Sequence, residues 1–186
     1  MLLFAAETGN KYAETGVDLD AILQGISEGS QVALEQLYRH THSSVYSFAL
    51  SILRNTHDAE DVLHDCYVTV WHSAGNYRSQ GKPMAWMMTI AKNLCLQRIR
   101  EQKKAADMPQ DEWELHLLDN GELTTEDKSI LYFCMGLLSE QERQIVTLHA
   151  VSGFKHREIA AFLGLPLSTV LSKYHRAVKR LKQHLQ

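Results

Sequence analysis

Apolar positions recur along this chain at gaps of three and four, the spacing of one helix face. Leu34, Leu37, Val45, Phe48 and Ile52 predict a long amphipathic helix. A second helix is predicted to start near Asp58, with Ala59, Leu63, Cys66 and Val70 on one stripe, widened by Tyr67 and Trp71 and stopped at Gly75 and Asn76. Pro83 suits the first turn of a third helix, where its missing N–H has no helical partner to lose. That helix buries Met87, Ile90, Ala91 and Leu94 and runs out in the polar stretch 98–104. Residues 105–128 keep no period and are rich in Asp and Glu, so they read as a linker with a short helical turn around Trp113 to Leu118. A further helix precedes Ser139. Ser139 and Glu142 then form a capping box, in which the hydroxyl accepts a backbone N–H and the carboxylate reaches back to the cap. Ile145, Leu148 and Val151 follow, and Gly153 ends that helix. No strand-period segment of useful length is present. The expected class is all-α, as two small helical domains: an N-terminal extension (1–24), a first domain (25–104), an acidic linker (105–128) and a second domain (129–186).

The most specific pattern lies between Phe154 and Leu181. Ala160 is the small residue that two closely crossing helices need. Gly164 supplies the positive φ of a short turn, and Leu165 and Val170 plug the angle between the helices. Pro166 and Ser168 mark the start of the second of them. Its Val170, Tyr174, Ala177, Leu181 and Leu185 face inward, whereas Thr169, Ser172, Lys173, Arg176 and Arg180 form the opposite stripe. Short polar residues followed by long cations are what a recognition helix in a major groove requires, the first touching base edges and the second holding phosphates. An αα-hairpin with a basic solvent face is the plain alternative.

Charge changes the picture more than composition does. The chain has 186 residues, 45% hydrophobic and 22% charged, a soluble globular profile. Its formal net charge of -3 hides a strong segregation. Residues 1–75 carry 3 basic and 10 acidic groups, and residues 76–104 carry 7 and 1. Residues 105–128 carry 1 and 8, and residues 153–186 carry 7 and 1. Two cationic blocks separated by an acidic one read as two polyanion-facing surfaces on one chain, with an extended, self-repelling linker between them. No stretch is apolar enough to span a bilayer. Met1 to Ala6 is apolar, but no basic region precedes it and Glu7 ends it, so it does not read as a signal peptide. Cys66, Cys95 and Cys134 are odd in number and far apart, which argues against a disulfide framework and for a reducing cytoplasm.

In this order, these motifs resemble a known family. Arg157-Glu158-Ile159-Ala160, Leu163-Gly164-Leu165-Pro166, Ser168-Thr169-Val170, Ser172-Lys173 and His175-Arg176-Ala177 are similar to region four of bacterial RNA polymerase sigma factors, closest to the short extracytoplasmic-function (ECF) group. Asp58-Ala59-Glu60-Asp61-Val62 through Val70-Trp71, Ala85-Trp86-Met87, Ile90-Ala91-Lys92-Asn93 and Arg98-Ile99-Arg100 resemble region two. The resemblance implies a polymerase subunit that binds core RNA polymerase and promoter DNA, under the control of an anti-sigma factor. It implies no cofactor, no bound metal, no catalytic residue and no membrane insertion. On this chain the polymerase-binding residues would be Asp58, Glu60, Asp61 and Asp65, of which the three aspartates share one helix face at i, i+3 and i+7. Helix-dipole complementarity accounts for Asp58 to Asp61 but not for Asp65, a turn further on.

The opened minus-ten promoter strand would be held by Arg78, Ser79, Gln80, Lys82, Lys92, Asn93, Arg98 and Arg100. Tyr77 and Trp86 are read as core rather than stacking platforms. The minus-thirty-five duplex would be read by Ser168, Thr169, Ser172, Lys173, Arg176 and Arg180. Leu171 departs from the family, which often has a basic residue there, and Lys155-His156 stands where a small polar cap is common. Of the ten histidines, His40-x-His42 and His64-x-Cys66 do not share a helix side. No C-x-x-C or H-x3-H set accompanies them, so zinc or redox sensing is not the reading. A helix-turn-helix regulator that is not a polymerase subunit is the alternative. The acidic helix followed by a basic loop and helix argues against it.

Overall fold

The computed structural model describes residues 17–78, 81–105 and 135–184. Ser79, Gln80, Leu185, the Trp113 to Leu118 turn and most of the helix expected before Ser139 lie outside them. Among the described residues there are seven α-helices: α1 Leu19–Ser27, α2 Gln31–Leu53, α3 Thr56–Ser73, α4 Pro83–Ala105, α5 Glu140–Ala150, α6 His156–Leu163 and α7 Leu167–His184. A 3-10 turn, Ala74–Asn76, follows α3.

Side-chain caps open the first three helices. Asp18 accepts from the Ala21 N–H at 3.0 Å, Ser30 from Ala33 at 3.2 Å and Asn55 from Asp58 at 3.0 Å. Each satisfies a backbone donor that has no partner within its helix. α1 straddles the boundary expected between the extension (1–24) and the first domain, and it buries Leu19, Leu23 and Ile26. Its Leu19, Ile22, Leu23 and Ile26 recur at i, i+3, i+4 and i+7 behind the Asp18 cap, a helical signal present in the sequence. The apolar stripes of α2 and α3 are buried as their spacing predicts: Leu37, Val45 and Phe48 from one, Ala59, Leu63, Cys66 and Val70 from the other. α4 begins at Pro83 and contributes Met84, Met87, Met88, Ala91 and Cys95. Tyr77 and Trp86 pack ring to ring at 5.0 Å against this core, and the Tyr77 hydroxyl donates to Asp20 at 2.8 Å.

The capping box at α5 is present. Ser139 N–H donates to Glu142 Oε2 at 2.9 Å, and the Glu142 N–H donates to Ser139 Oγ at 3.4 Å. α6 and α7 form the expected helix-turn-helix. Gly164 caps α6 at φ 67°, and Ile159, Ala160 and Val170 are buried at the crossing.

The two halves are not held apart. Ile145, Leu148, Phe154, Ile159, Ala160 and Val170 belong to the same apolar cluster as the cores of α1 to α4. α5 lies against α2. Phe48 and Phe162 meet edge to face with centroids 5.6 Å apart. The buried Arg143 donates from Nε to the Ser51 carbonyl at 3.2 Å and from Nη1 to the Leu138 carbonyl at 2.6 Å. Charge segregation along the chain predicted two spaced modules. Burial of these aromatic and aliphatic faces brings them together instead.

Candidate functional site

Three surfaces carry the residues singled out above. The first is the outer face of α3. Glu60, Asp61 and Asp65 are exposed there and Asp58 is half-buried. Arg98 of α4 lies across the start of this row. Its Nε is 3.4 Å from Asp58 Oδ1, and its Nη2 hydrogen-bonds to Asp61 Oδ2. Gln102 Nε2 takes the other oxygen of Asp58 at 2.6 Å. The Asp65 carboxylate has no ion-pair partner among the described residues. The row is therefore paired with Arg98 and Gln102 at its N-terminal end, whereas Asp65 at its C-terminal end has no ion pair among the described residues.

The second surface runs from the loop before α4 along that helix. Arg78, Lys82, Asn93 and Arg100 are exposed. Asn93 and Arg100 are seven residues apart and share a face with the exposed Thr89 and Leu96. Two cations of the same predicted set are engaged elsewhere. Arg98 is turned toward α3, and Lys92 toward the second half, where its ammonium reaches the Phe162 carbonyl at 3.4 Å and stands 5.2 Å from that ring's centre. A cleft of about 500 Å³ lies alongside, lined by Asp20, Lys82 and Met84 from the first half and Phe154, Glu158 and Phe162 from the second.

The third surface is the outer stripe of α7. Ser168, Ser172 and Arg176 are exposed, and Thr169 and Lys173 are half-buried beside them. Leu171 is also on the surface. Arg180 is not part of this stripe. Its Nη1 donates to the Leu137 carbonyl at 2.9 Å and pairs with Glu142 at 3.2 Å. Burial by itself pushes the Glu142 carboxyl up. The hydrogen bonds from Ser139, then the charges of Arg180 and Lys173, outweigh this and hold it below its ordinary value.

Several working residues were not visible in the sequence. Gln102, Arg143 and Phe162 act through neighbours tens of residues away, and no local pattern announces them. A histidine pair is another such case. His149 is buried and donates from Nδ1 to the Phe154 carbonyl at 2.8 Å. The His156 ring lies tilted against it with centroids 4.2 Å apart, and Tyr174 closes on both at 4.8 and 4.7 Å. Burial, then the charges of His149 and His175, lower the pKa of His156. Cys66 is fully buried and its thiol is pushed up to about 12 by that burial, as suits a small apolar core residue. Among the described residues, no three metal-ligating side chains converge and no helix is long and apolar enough to cross a membrane.

Residues 37–105 match the Sigma-70 region 2 family model, and residues 128–181 match Sigma-70, region 4. The chain is 31% identical over 180 residues to the ECF RNA polymerase sigma factor SigK of Mycobacterium sp. (strain KMS), covering 90% of this chain and 91% of that one. The chain belongs to the ECF family of RNA polymerase sigma factors. SigK of Mycobacterium tuberculosis (strain ATCC 25177 / H37Ra) is 27% identical over 176 residues, covering 90% of this sigma factor and 94% of the relative. Two solved structures share the fold. CnrH in complex with the cytosolic domain of CnrY has a TM-score of 0.62 at 23% identity, over 90% of this chain and 97% of that one. The sigma factor RpoE of Bartonella quintana, in complex with the anti-sigma factor NepR, has a TM-score of 0.64 at 24% identity, over 81% and 95%. The region two match thus runs from within α2 through α4 of this sigma factor, and the region four match takes in α5, α6 and most of α7.

Proposed function

We propose that this ECF sigma factor docks on core RNA polymerase through Asp58, Glu60, Asp61 and Asp65. Its Arg78, Lys82, Asn93 and Arg100 then hold the opened minus-ten strand, and the outer stripe of α7 reads the minus-thirty-five duplex. One observation carries this reading. A single small helical half presents an outward carboxylate row on α3 and, on the adjacent helix, a separate exposed face with Asn93 and Arg100. A regulator that only binds duplex DNA has no use for the first. The protein supplies binding and orientation and no catalytic chemistry of its own, and it works in the cytoplasm.

The packed arrangement sets a condition on this activity. Elements about 25 base pairs apart are separated by roughly 85 Å at 3.4 Å per base pair. Lys92 of region two touches Phe162 of region four, so the halves part before both elements are read at once. Docking on polymerase supplies the interactions that replace the shared apolar contact, and each region then adds modest affinity at high effective concentration. An anti-sigma factor acts in the opposite direction by covering the same faces. The neighbours CnrH and RpoE, each bound to a partner protein in its structure, support that part of the reading.

The test is pull-down of core polymerase followed by runoff transcription, comparing the parent with Asp61→Lys/Asp65→Lys. The reading expects one-to-one binding by the parent and loss of both binding and RNA synthesis in the variant. Undiminished transcription by the variant overturns it. Tight duplex binding by the parent without polymerase indicates a simple regulator.

A further inference from the structure

The sequence places Arg98 among the cations that hold the promoter strand, because it sits in the basic end of α4. The structure puts it elsewhere. At 100° per residue, Arg98 lies roughly 160° around the helix from Arg100 and about 140° from Asn93. The side that carries Asn93 and Arg100 faces solvent, whereas Arg98 is aimed at α3, against which α4 packs. Its side chain is 30% exposed, and its Asp58 partner 18%. Asp61 retains 61% exposure although one of its oxygens is held.

We propose that Arg98 is a positioning residue of the polymerase-facing carboxylate row, not a contact to the promoter strand. This rests on the docking role given above to α3. The planar guanidinium offers donors in a fixed fork, and here it takes one oxygen from each of two carboxylates a helical turn apart. Held in this way, Asp58 and Asp61 keep defined orientations. Asp61 stays largely exposed, and the exposed Asp65 follows on the same face without an ion pair among the described residues. Gln102 fixes the second oxygen of Asp58 and completes the frame. A cationic partner helix therefore meets a preorganised row and loses less side-chain freedom in binding it. A lysine at 98 keeps the charge but lacks the fork, so it holds one carboxylate at a time.

The assignment is tested with the full chain in equilibrium binding to core polymerase at fixed salt, and in promoter opening by holoenzyme assembled at saturating sigma factor. Arg98→Ala is expected to weaken polymerase binding about fivefold, the scale of one partly exposed ion-pair arrangement, and Arg98→Lys to fall between it and the parent. In an Asp58→Asn/Asp61→Asn background, Arg98→Ala is expected to cause no further loss, because the groups through which it acts are gone. Promoter opening at saturation is expected to match the parent. Parental polymerase affinity with impaired opening makes Arg98 a DNA contact and overturns the proposal. So do losses that simply add across the cycle. If Arg98→Ala lowers the melting midpoint, Arg98→Lys decides: parental affinity together with a parental midpoint overturns the proposal. Asp65→Lys is measured in parallel. Unchanged polymerase binding by that variant removes the docking role of α3 itself, whereas additive losses remove only the role of Arg98.

Discussion

Lys92 of α4 donates to the backbone carbonyl of Phe162 of α6 at 3.4 Å, with its ammonium 5.2 Å from the centre of that residue's own ring. One side chain thereby ties α4 of the first half to α6, the first helix of the helix-turn-helix. The same phenylalanine meets Phe48 from α2 and Phe154 from the turn before α6. Phe162→Ala is expected to destabilise the packed form by about 2 kcal/mol, less than a fully buried phenylalanine because Phe162 is only partly covered. Lys92→Ala removes a half-buried cation–π contact and its hydrogen bond to the Phe162 carbonyl and is expected to cost about 1 kcal/mol. Urea unfolding measures both. Small-angle scattering is expected to show a larger radius for Phe162→Ala, and an unchanged radius and midpoint would contradict the shared core.

Glu142 closes the capping box of α5 and pairs with Arg180. Glu142→Gln is expected to cost about 1 kcal/mol at neutral pH. The folded-state pKa of Glu142 is lowered, so its contribution is present above the ordinary carboxylate range and is lost as pH falls through the folded value. The gap between parent and variant is therefore expected to narrow in acid. Urea titrations at neutral and strongly acidic pH check this, and a constant gap would exclude an ionic contribution.

His156 gives a dependence of the same sign in a higher pH window. Its pKa is lowered by burial and by the charges of His149 and His175, with Tyr174 packed edge-on against both rings of the histidine pair. The unfolded chain then takes up a proton more readily than the folded one. Stability is held above the ordinary histidine pKa and falls as pH drops below it. The melting midpoint of the parent is expected to fall between pH 7.5 and pH 5.5, and that of His156→Gln to fall less. Equal falls would move the effect to other groups.

Lys173 and Arg176 stand on the outer stripe of α7, and Arg180 does not. Lys173→Ala/Arg176→Ala is expected to abolish upstream-element binding while leaving polymerase binding intact. A partial variant is expected to reduce the salt slope by about 0.9 for each lost phosphate contact. Arg180→Ala is expected to leave that slope unchanged and to lower stability, because it strips Glu142 and the Leu137 carbonyl of a partner. Fluorescence anisotropy on duplex DNA at several salt concentrations separates the two variants. A reduced slope for Arg180→Ala would return it to the DNA-facing set.

Much of this protein was legible along the chain because it depends on neighbours within about one or two helical turns. The stripes of α2, α3 and α4, the Ser139 and Glu142 box and the Ala160, Gly164 and Val170 hairpin are set by spacings of three and four and by single-residue backbone preferences. The family resemblance rests on the same local motifs. Charge patterning marked the acidic row and the cationic blocks, yet it could not say which cations face outward. Arg98 and Arg100 are two residues apart and point to different sides. Lys92 and Asn93 are adjacent, and only one of them is exposed. Arg180 continues the polar stripe of α7 by count but finds Glu142 within reach. Those outcomes depend on which helix lies beside which, and so does the meeting of the two halves through Phe48, Phe162 and Arg143. The chain carries its helices and their faces in local order. Only tertiary packing decides which charges are spent on one another, because an ion pair is set by distance in space and not by separation in sequence.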